Sequence, residues 1–211
     1  MRFLFLASLA LSVPALADGP RAGVVRVRIV TSAGAIVLAL DAAHAPATTA
    51  NFLRYVDDQR FAGAAFYRVV ERKGLPPAGF IQGGIRVDAR RMLEPVKHEP
   101  TSRTGIRHTD GTISMARFDQ PNSAAGNFFI VVGSLPTFDA RPGNPGYAAF
   151  GHVVSGMDVV RSILKQPVAM RPDGSRGQQL RAPVRILGAT RLDGVARPSG
   201  QAKPWLIGPK R

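Results

Sequence analysis

The chain has 211 residues, no cysteine, and 28 Lys+Arg against 14 Asp+Glu, for a formal net charge of +14. That length suits one domain with a substantial core, and the lack of cysteine excludes both disulfide stapling and thiol catalysis. So basic a chain would suit nucleic acid, but its charges are scattered and lack the interleaved aromatics of a nucleic-acid module, so that partner is not expected. Acidic clients, or weak association with an anionic membrane surface, fit the charge better; a solvated basic surface fits it as well.

Arg2, the apolar run Phe3 to Val13 and Ala15-Leu16-Ala17 have the form of a secretion signal with an A-x-A cleavage site. Residues 1–17 are therefore expected to be removed near Ala17-Asp18, giving a periplasmic protein with a short lead over 18–23. Val25 to Val30 alternates apolar and basic, the pattern of a half-buried antiparallel strand. Ser32-Ala33-Gly34 is a hairpin turn and Ile36 to Leu40 the partner strand. Pro46 suits a first helical turn, and Phe52, Tyr55 and Val56 follow at helical spacing; Thr48, Thr49 and Asn51 read as structural.

Phe66 to Gly84 holds two short apolar runs around a loop with Gly74, Pro76 and Pro77. Strict alternation sends Phe66, Arg68 and Val70 to one face and Tyr67 and Val69 to the other. The second run ends in Gly83-Gly84, which permits a sharp bend or close backbone approach, with Gln82 just before it. Val87 to Thr109 reads as a long surface excursion. Strands are expected again over Gly111 to Arg117 and Asn127 to Val132. Leu135 to Ala149 has too many breakers for regular structure. A strand over Phe150 to Val154, a helix carrying Met157, Val160, Ile163 and Leu164, and a closing strand over Pro183 to Thr190 complete the domain, residues 24–192. The basic, Pro/Gly-rich tail over 193–211 reads as loose, with the packing of Trp205 onto the domain left open by the sequence. Many short strands with two short helices predict a mainly β fold, a closed antiparallel barrel with capped ends.

The runs FYRVV and FIQGG, then GTISMAR with GNFFIVVG, then AAFGHVVSGMDVV, resemble the cyclophilins, the peptidyl-prolyl cis-trans isomerases, in family order from about Val25 to Leu192. The resemblance implies an eight-stranded barrel, a first helix that covers one open end, and acceleration of Xaa-Pro rotation in exported proteins. It implies Arg68 as the catalytic arginine and Gln82 as its partner and backbone holder. Phe129 would floor a proline pocket, with Met115 beneath it as ordinary core. Ala116, Arg117 and Asn127 would bind peptide backbone, Asn127 replacing a longer glutamine. Phe138 falls where the family has a pocket-lining leucine, and Tyr147 where it has a histidine. Counting back from Gln82 puts Phe80 at a methionine and Gly79 at a phenylalanine, which removes one wall, and Thr137 stands where many members have tryptophan. The link from Arg68 to Gln82 is longer than usual, an insertion around Glu71 to Pro77 beside the groove.

Prolyl rotation needs no nucleophile, metal or cofactor. Its barrier of roughly 18–20 kcal/mol comes from amide resonance and falls when the proline nitrogen becomes more amine-like. A permanently charged, rigid guanidinium aimed at that nitrogen favours the twisted state. His44, His98, His108 and His152 lack metal-ligand spacing, and Gly83-Gly84 does not continue as a phosphate loop. The expected partners are proline-containing, partly folded polypeptides met by a monomer. The alternative is a low-activity or inactive barrel serving as a peptide-binding chaperone or assembly module, motivated by the altered wall and the insertion.

Overall fold

In β1 (Val24–Thr31) the alternating pattern has the expected effect: Val27 and Ile29 are wholly buried while Arg28 and Val30 face outward. The two-residue turn Ser32-Ala33 sets its register with β2 (Gly34–Asp41), Thr31 opposite Gly34, and turns Ile36, Leu38 and Leu40 inward. The computed structural model describes residues 22–72, 74 and 78–206. The expected signal and the lead as far as residue 21 lie outside them, as do residues 207–211 of the tail.

The remaining elements are α1 (Pro46–Asp57), β3 (Ala65–Arg72), β4 (Ala78–Gly84), α2 (Thr101–Thr104), β5 (Thr112–Met115), β6 (Asn127–Val132), β7 (Ala149–Ser155), α3 (Met157–Leu164), β8 (Val168–Met170) and β9 (Arg176–Arg191). The strands pair antiparallel in the order β1-β2-β7-β5-β6-β4-β3-β9, and β9 returns to β1. Eight strands therefore form the closed barrel the sequence implied, and β8 attaches outside it to the first part of β9. The short α2 adds a third helix to the expected two.

The barrel interior is aromatic. Phe52 of α1 packs edge-on against Phe128 of β6 at 5.3 Å and lies 5.3 Å from Phe150 of β7, so the helix is fixed by its apolar stripe. No local side chain caps α1. Glu99, buried in the long excursion, accepts from the backbone N–H groups of Ala47 and Thr48 and from the Thr48 hydroxyl, at 3.2, 2.8 and 2.7 Å. A carboxylate there satisfies otherwise unpaired donors and meets the positive end of the helix dipole. That ties the excursion to the domain.

The described part of the tail is docked, contrary to the loose tail expected. Ser199 donates through its backbone and hydroxyl to buried Asp58 at 2.7 and 2.9 Å. The Trp205 ring sits 4.7 Å from the guanidinium of buried Arg60, and its indole N–H donates to the Gln59 carbonyl.

Candidate active site

The site begins with a break in alternation. Phe66 pairs with Gly83 and Arg68 with Gln82, which leaves Tyr67 as an extra, bulged residue in β3. Phe66 and Val69 therefore turn into the barrel core, while Tyr67, Arg68 and Val70 share the outer side. The expectation that Phe66 shares a face with Arg68 is corrected: an inserted residue shifts the period by one. A glycine at 83 is required because a Cβ there would lie 2.7 Å from the Phe66 ring.

The bulge brings three polar side chains together. Arg68 Nη1 donates to Gln82 Oε1 at 2.8 Å. Gln82 Nε2 donates to the Tyr67 hydroxyl at 3.0 Å, and that hydroxyl donates to Asn127 Oδ1 at 3.3 Å. Burial raises the Tyr67 phenol above its ordinary range, against the opposing pull of the Gln82 bond and the charges of Arg86 and Arg68, so it remains a donor at neutral pH. On its other edge Arg68 donates from Nε and Nη2 to Gln178 Oε1, at 2.9 and 2.6 Å.

Beside this chain lies a cavity of about 70 Å³ lined by Arg68, Gln82, Phe80, Phe129, Phe138 and Tyr147, with Ala116 and Arg117 at its edge. One water in the liquid occupies roughly 30 Å³, so the space suits a small ring. Phe129 has Phe80, Phe138 and Tyr147 around it at 5.4, 5.5 and 5.4 Å. The Arg68 guanidinium lies 5.4 Å from the Phe80 ring. The wall expected to be missing beside Gln82 is thus supplied by Phe80, which also touches Phe138 at 5.6 Å.

These aromatics form a second apolar cluster with Val131 and Leu135, outside the barrel core. A buried polar chain lies against it: His108 stacks on Phe129 at 5.9 Å, its Nδ1 is 2.7 Å from Asp139 Oδ1 and its Nε2 is 3.0 Å from Ser114 Oγ. A carboxylate only accepts, so Nδ1 carries the proton and the serine hydroxyl donates to Nε2. Burial lowers the His108 pKa, partly countered by the hydrogen bond and charge of Asp139. Ser114 is wholly enclosed; the trio therefore braces the aromatic floor and does not meet a substrate.

The structure brings together Arg68, Phe80, Gln82, Ala116, Arg117, Phe129, Phe138 and Tyr147 around one cavity. Asn127 stands apart from it. Its amide is bonded to the backbone of Arg86, accepting from the N–H and donating to the carbonyl at 2.7 Å each, and it lines the depression that adjoins the cavity. Arg117 likewise spends its Nε and Nη1 donors on the carbonyls of Gly146, Phe118 and Asp119 and stacks over Tyr147 at 5.1 Å. Met115 pairs with Phe128 and belongs to the barrel core, one residue out of phase with Phe129. Thr137 accepts from Arg72 at 3.3 Å. The inserted link lengthens the β3–β4 hairpin to the pair Arg72 and Ala78; residues 73 and 75–77 lie outside the described residues.

A wider depression of about 800 Å³ adjoins the cavity and shares Gln82, Ala116 and Arg117 with it. Arg86, Arg117 and Arg181 line it, and among the described residues no carboxylate does. Arg86 lies 4.5 Å over the Tyr67 ring and Arg181 donates to the Val168 carbonyl, so the described partners of all three are neutral.

A closed antiparallel barrel with a guanidinium–amide pair beside an aromatic hollow is the arrangement that the sequence resemblance to the cyclophilins implied. Residues 26–191 match the family model described as cyclophilin type peptidyl-prolyl cis-trans isomerase. A peptidyl-prolyl cis-trans isomerase of Streptomyces antibioticus is 36% identical over 156 residues, 72% of this chain and 89% of that one. Peptidyl-prolyl cis-trans isomerase A of Dickeya dadantii is 40% identical over 140 residues, 65% of this chain and 70% of that one. A cyclophilin structure from Cryptosporidium parvum aligns with a TM-score of 0.60 at 18% identity, covering 82% of this chain and 99% of its own, a likeness of fold. The chain belongs to the cyclophilin-type peptidyl-prolyl cis-trans isomerases and is an enzyme of that kind.

Proposed function

We propose that the enzyme acts in the periplasm on Xaa-Pro bonds of exported, partly folded polypeptides, and that Arg68 lowers the barrier by donating to the proline nitrogen as the imide twists. The observation that carries this reading is the shared cavity, in which Phe129, Phe80, Phe138 and Tyr147 lie beside the Arg68–Gln82 pair and between which the proline ring would enter. Three of the five guanidinium N–H groups are engaged by amides, and a remaining one meets the nitrogen lone pair that resonance withholds in both planar states. The interaction therefore grows toward the transition state. Gln82, held by Tyr67, turns its acceptor to Arg68 and keeps the guanidinium beside the ring.

The completed aromatic wall favours this reading over a barrel that only binds peptide. The same Cryptosporidium parvum cyclophilin was also crystallised in the presence of the dipeptide Ala-Pro, in keeping with proline-containing ligands here. The three guanidiniums in the adjoining depression, without carboxylate partners among the described residues, favour clients with acidic residues near the proline.

Exchange NMR or a protease-coupled assay on a short Xaa-Pro peptide tests the mechanism. Arg68→Ala is expected to lower kcat/KM by roughly 10²–10³, the cost of removing one preorganised donor. Equal rates in the two proteins would overturn it. Export is checked by the N-terminus of the mature protein, expected at Asp18.

A further inference from the structure

Residues 166–182 carry a feature that the barrel does not require. Pro172-Asp173-Gly174-Ser175 reverses the chain: Gly174 sits at φ +77°, and Asp173 Oδ1 accepts from the Ser175 N–H at 2.9 Å. β8 and the first part of β9 flank this turn as a hairpin arm. Val168 and Leu180, opposite each other at its base, are buried in the main core. Two further ties hold it to β3: Gln179 pairs with Arg68, and Arg176 bonds Glu71 at 2.5 Å. So anchored, the arm places one side-chain oxygen, Gln178 Oε1, against both Nε and Nη2 of Arg68.

We infer that Gln178 is a positioning residue for the isomerase: its amide oxygen, from one edge, and that of Gln82, from the other, clamp the Arg68 guanidinium in its working plane without neutralising it. Two contacts on opposite edges remove the rotation about Nε that a single contact would leave. The choice of acceptor matters as much as its place. A carboxylate at 178 would grip the guanidinium more tightly but would cancel the charge the twisted imide has to feel. An amide holds and leaves the field intact. This inference rests on Arg68 acting on the proline nitrogen.

The test compares wild type, R68A, Q178A and Q178E in the full mature chain, by exchange NMR on a saturating Xaa-Pro peptide, with KM from a titration. Q178A is expected to lower kcat about tenfold, the rate equivalent of losing a modest part of the transition-state stabilisation, with KM within a factor of two. Q178E is expected to be at least as impaired at neutral pH and to recover as pH falls through the range in which the new carboxyl takes up its proton, while wild type stays flat there. A merely structural role would let the tighter Q178E pair match or exceed wild type. Wild-type kcat in Q178E at neutral pH, or in a folded Q178A, with R68A impaired, overturns the inference alone. Equal rates in wild type and R68A overturn the arginine mechanism, and this inference with it. Should Q178A not fold, the pH profile of Q178E decides.

Discussion

Arg68→Lys separates charge from geometry in the proposed arginine mechanism. Lysine keeps the positive charge, but one ammonium cannot reproduce bonds that leave the guanidinium from three nitrogens toward two glutamines on opposite edges, at 2.8, 2.9 and 2.6 Å. It can serve one glutamine and leaves the other unpaired. Its flexible stem also carries roughly 2 kcal/mol of rotamer entropy, which the clamped fork has already given up. If that freedom is what the clamp removes from the transition state, the loss is about 2 kcal/mol, or roughly thirtyfold in kcat, at 1.36 kcal/mol per factor of ten. R68K should therefore fall between wild type and the much weaker R68A. KM should stay near wild type, because the aromatic walls of the cavity are untouched. Because Arg68 is only partly buried, unfolding free energy should change by less than about 1 kcal/mol, the scale for a solvent-screened group. Line-shape or exchange NMR at saturating peptide measures kcat directly, and a urea titration supplies the stability control. Wild-type kcat in R68K would mean that a diffuse positive charge suffices, and the planar fork would then have no part in catalysis.

Phe129→Ala should act on the other parameter. Three proline methylenes at about 0.8 kcal/mol each, with one ring face resting on Phe129, give roughly 1.2 kcal/mol and an increase in KM of about eightfold; a change confined to kcat would refute Phe129 as the floor. Burial lowers the pKa of His108 and His152 in the folded protein, so the unfolded chain binds their protons more readily. Their contribution is complete above about pH 6.5, the unfolded value, and is lost as pH falls from there toward the folded values. The urea midpoint should thus drop between pH 7 and 5, and a midpoint constant over that window would contradict the burial of neutral imidazoles. At low salt a Glu-flanked prolyl peptide should have a kcat/KM several-fold above its Lys-flanked counterpart, a ratio that R86Q/R181Q should bring toward one. An unchanged ratio would remove the depression from client selection.

Much of the barrel was legible because its signals are local. Val27 and Ile29 alternate with outward residues, Ser32-Ala33 spans a tight turn, and the apolar stripe of α1 repeats at helical spacing. Arg68, Gln82 and Phe129 were legible through motif resemblance, and register explains why they meet: Gln82 pairs with Arg68 on one side and with Phe129 on the other. The features that were missed depend on distant partners. A bulge at Tyr67 leaves no mark in an apolar run, since either phase places a hydrophobic residue inward. Glu99 caps a helix about fifty residues before it, and Asp58 holds a tail residue 141 positions away. Gln178 lies 110 positions from the arginine it binds. One local signal was available for it, the Pro172-Asp173-Gly174 turn, but the mixed charged flanks of that turn lack the alternation that marks a strand.

The position of the site follows from a conflict built into β4 and β6. One face of each strand must fill the barrel, which Ile81, Phe128 and Ile130 do; the opposite face is also apolar, carrying Phe80, Phe129 and Val131. Such two-sided strands need a second cover, and Leu135, Phe138 and Tyr147 from the breaker-rich segment provide it. The cover is incomplete at the end where β4 presents Gln82 and β3 presents Arg68, so an apolar hollow opens directly beside polar groups. In the proposed mechanism that boundary is where a proline would sit, its carbons toward the hollow and its imide nitrogen toward the polar edge. The buried His108–Asp139–Ser114 chain then has a physical purpose, since aromatic rings over an unpaired imidazole would be costly. With both ring nitrogens satisfied, Phe129 rests on a rigid base. The hollow thus has a fully paired polar layer on one side and a clamped cation on the other, the two features on which the proposed arginine mechanism depends.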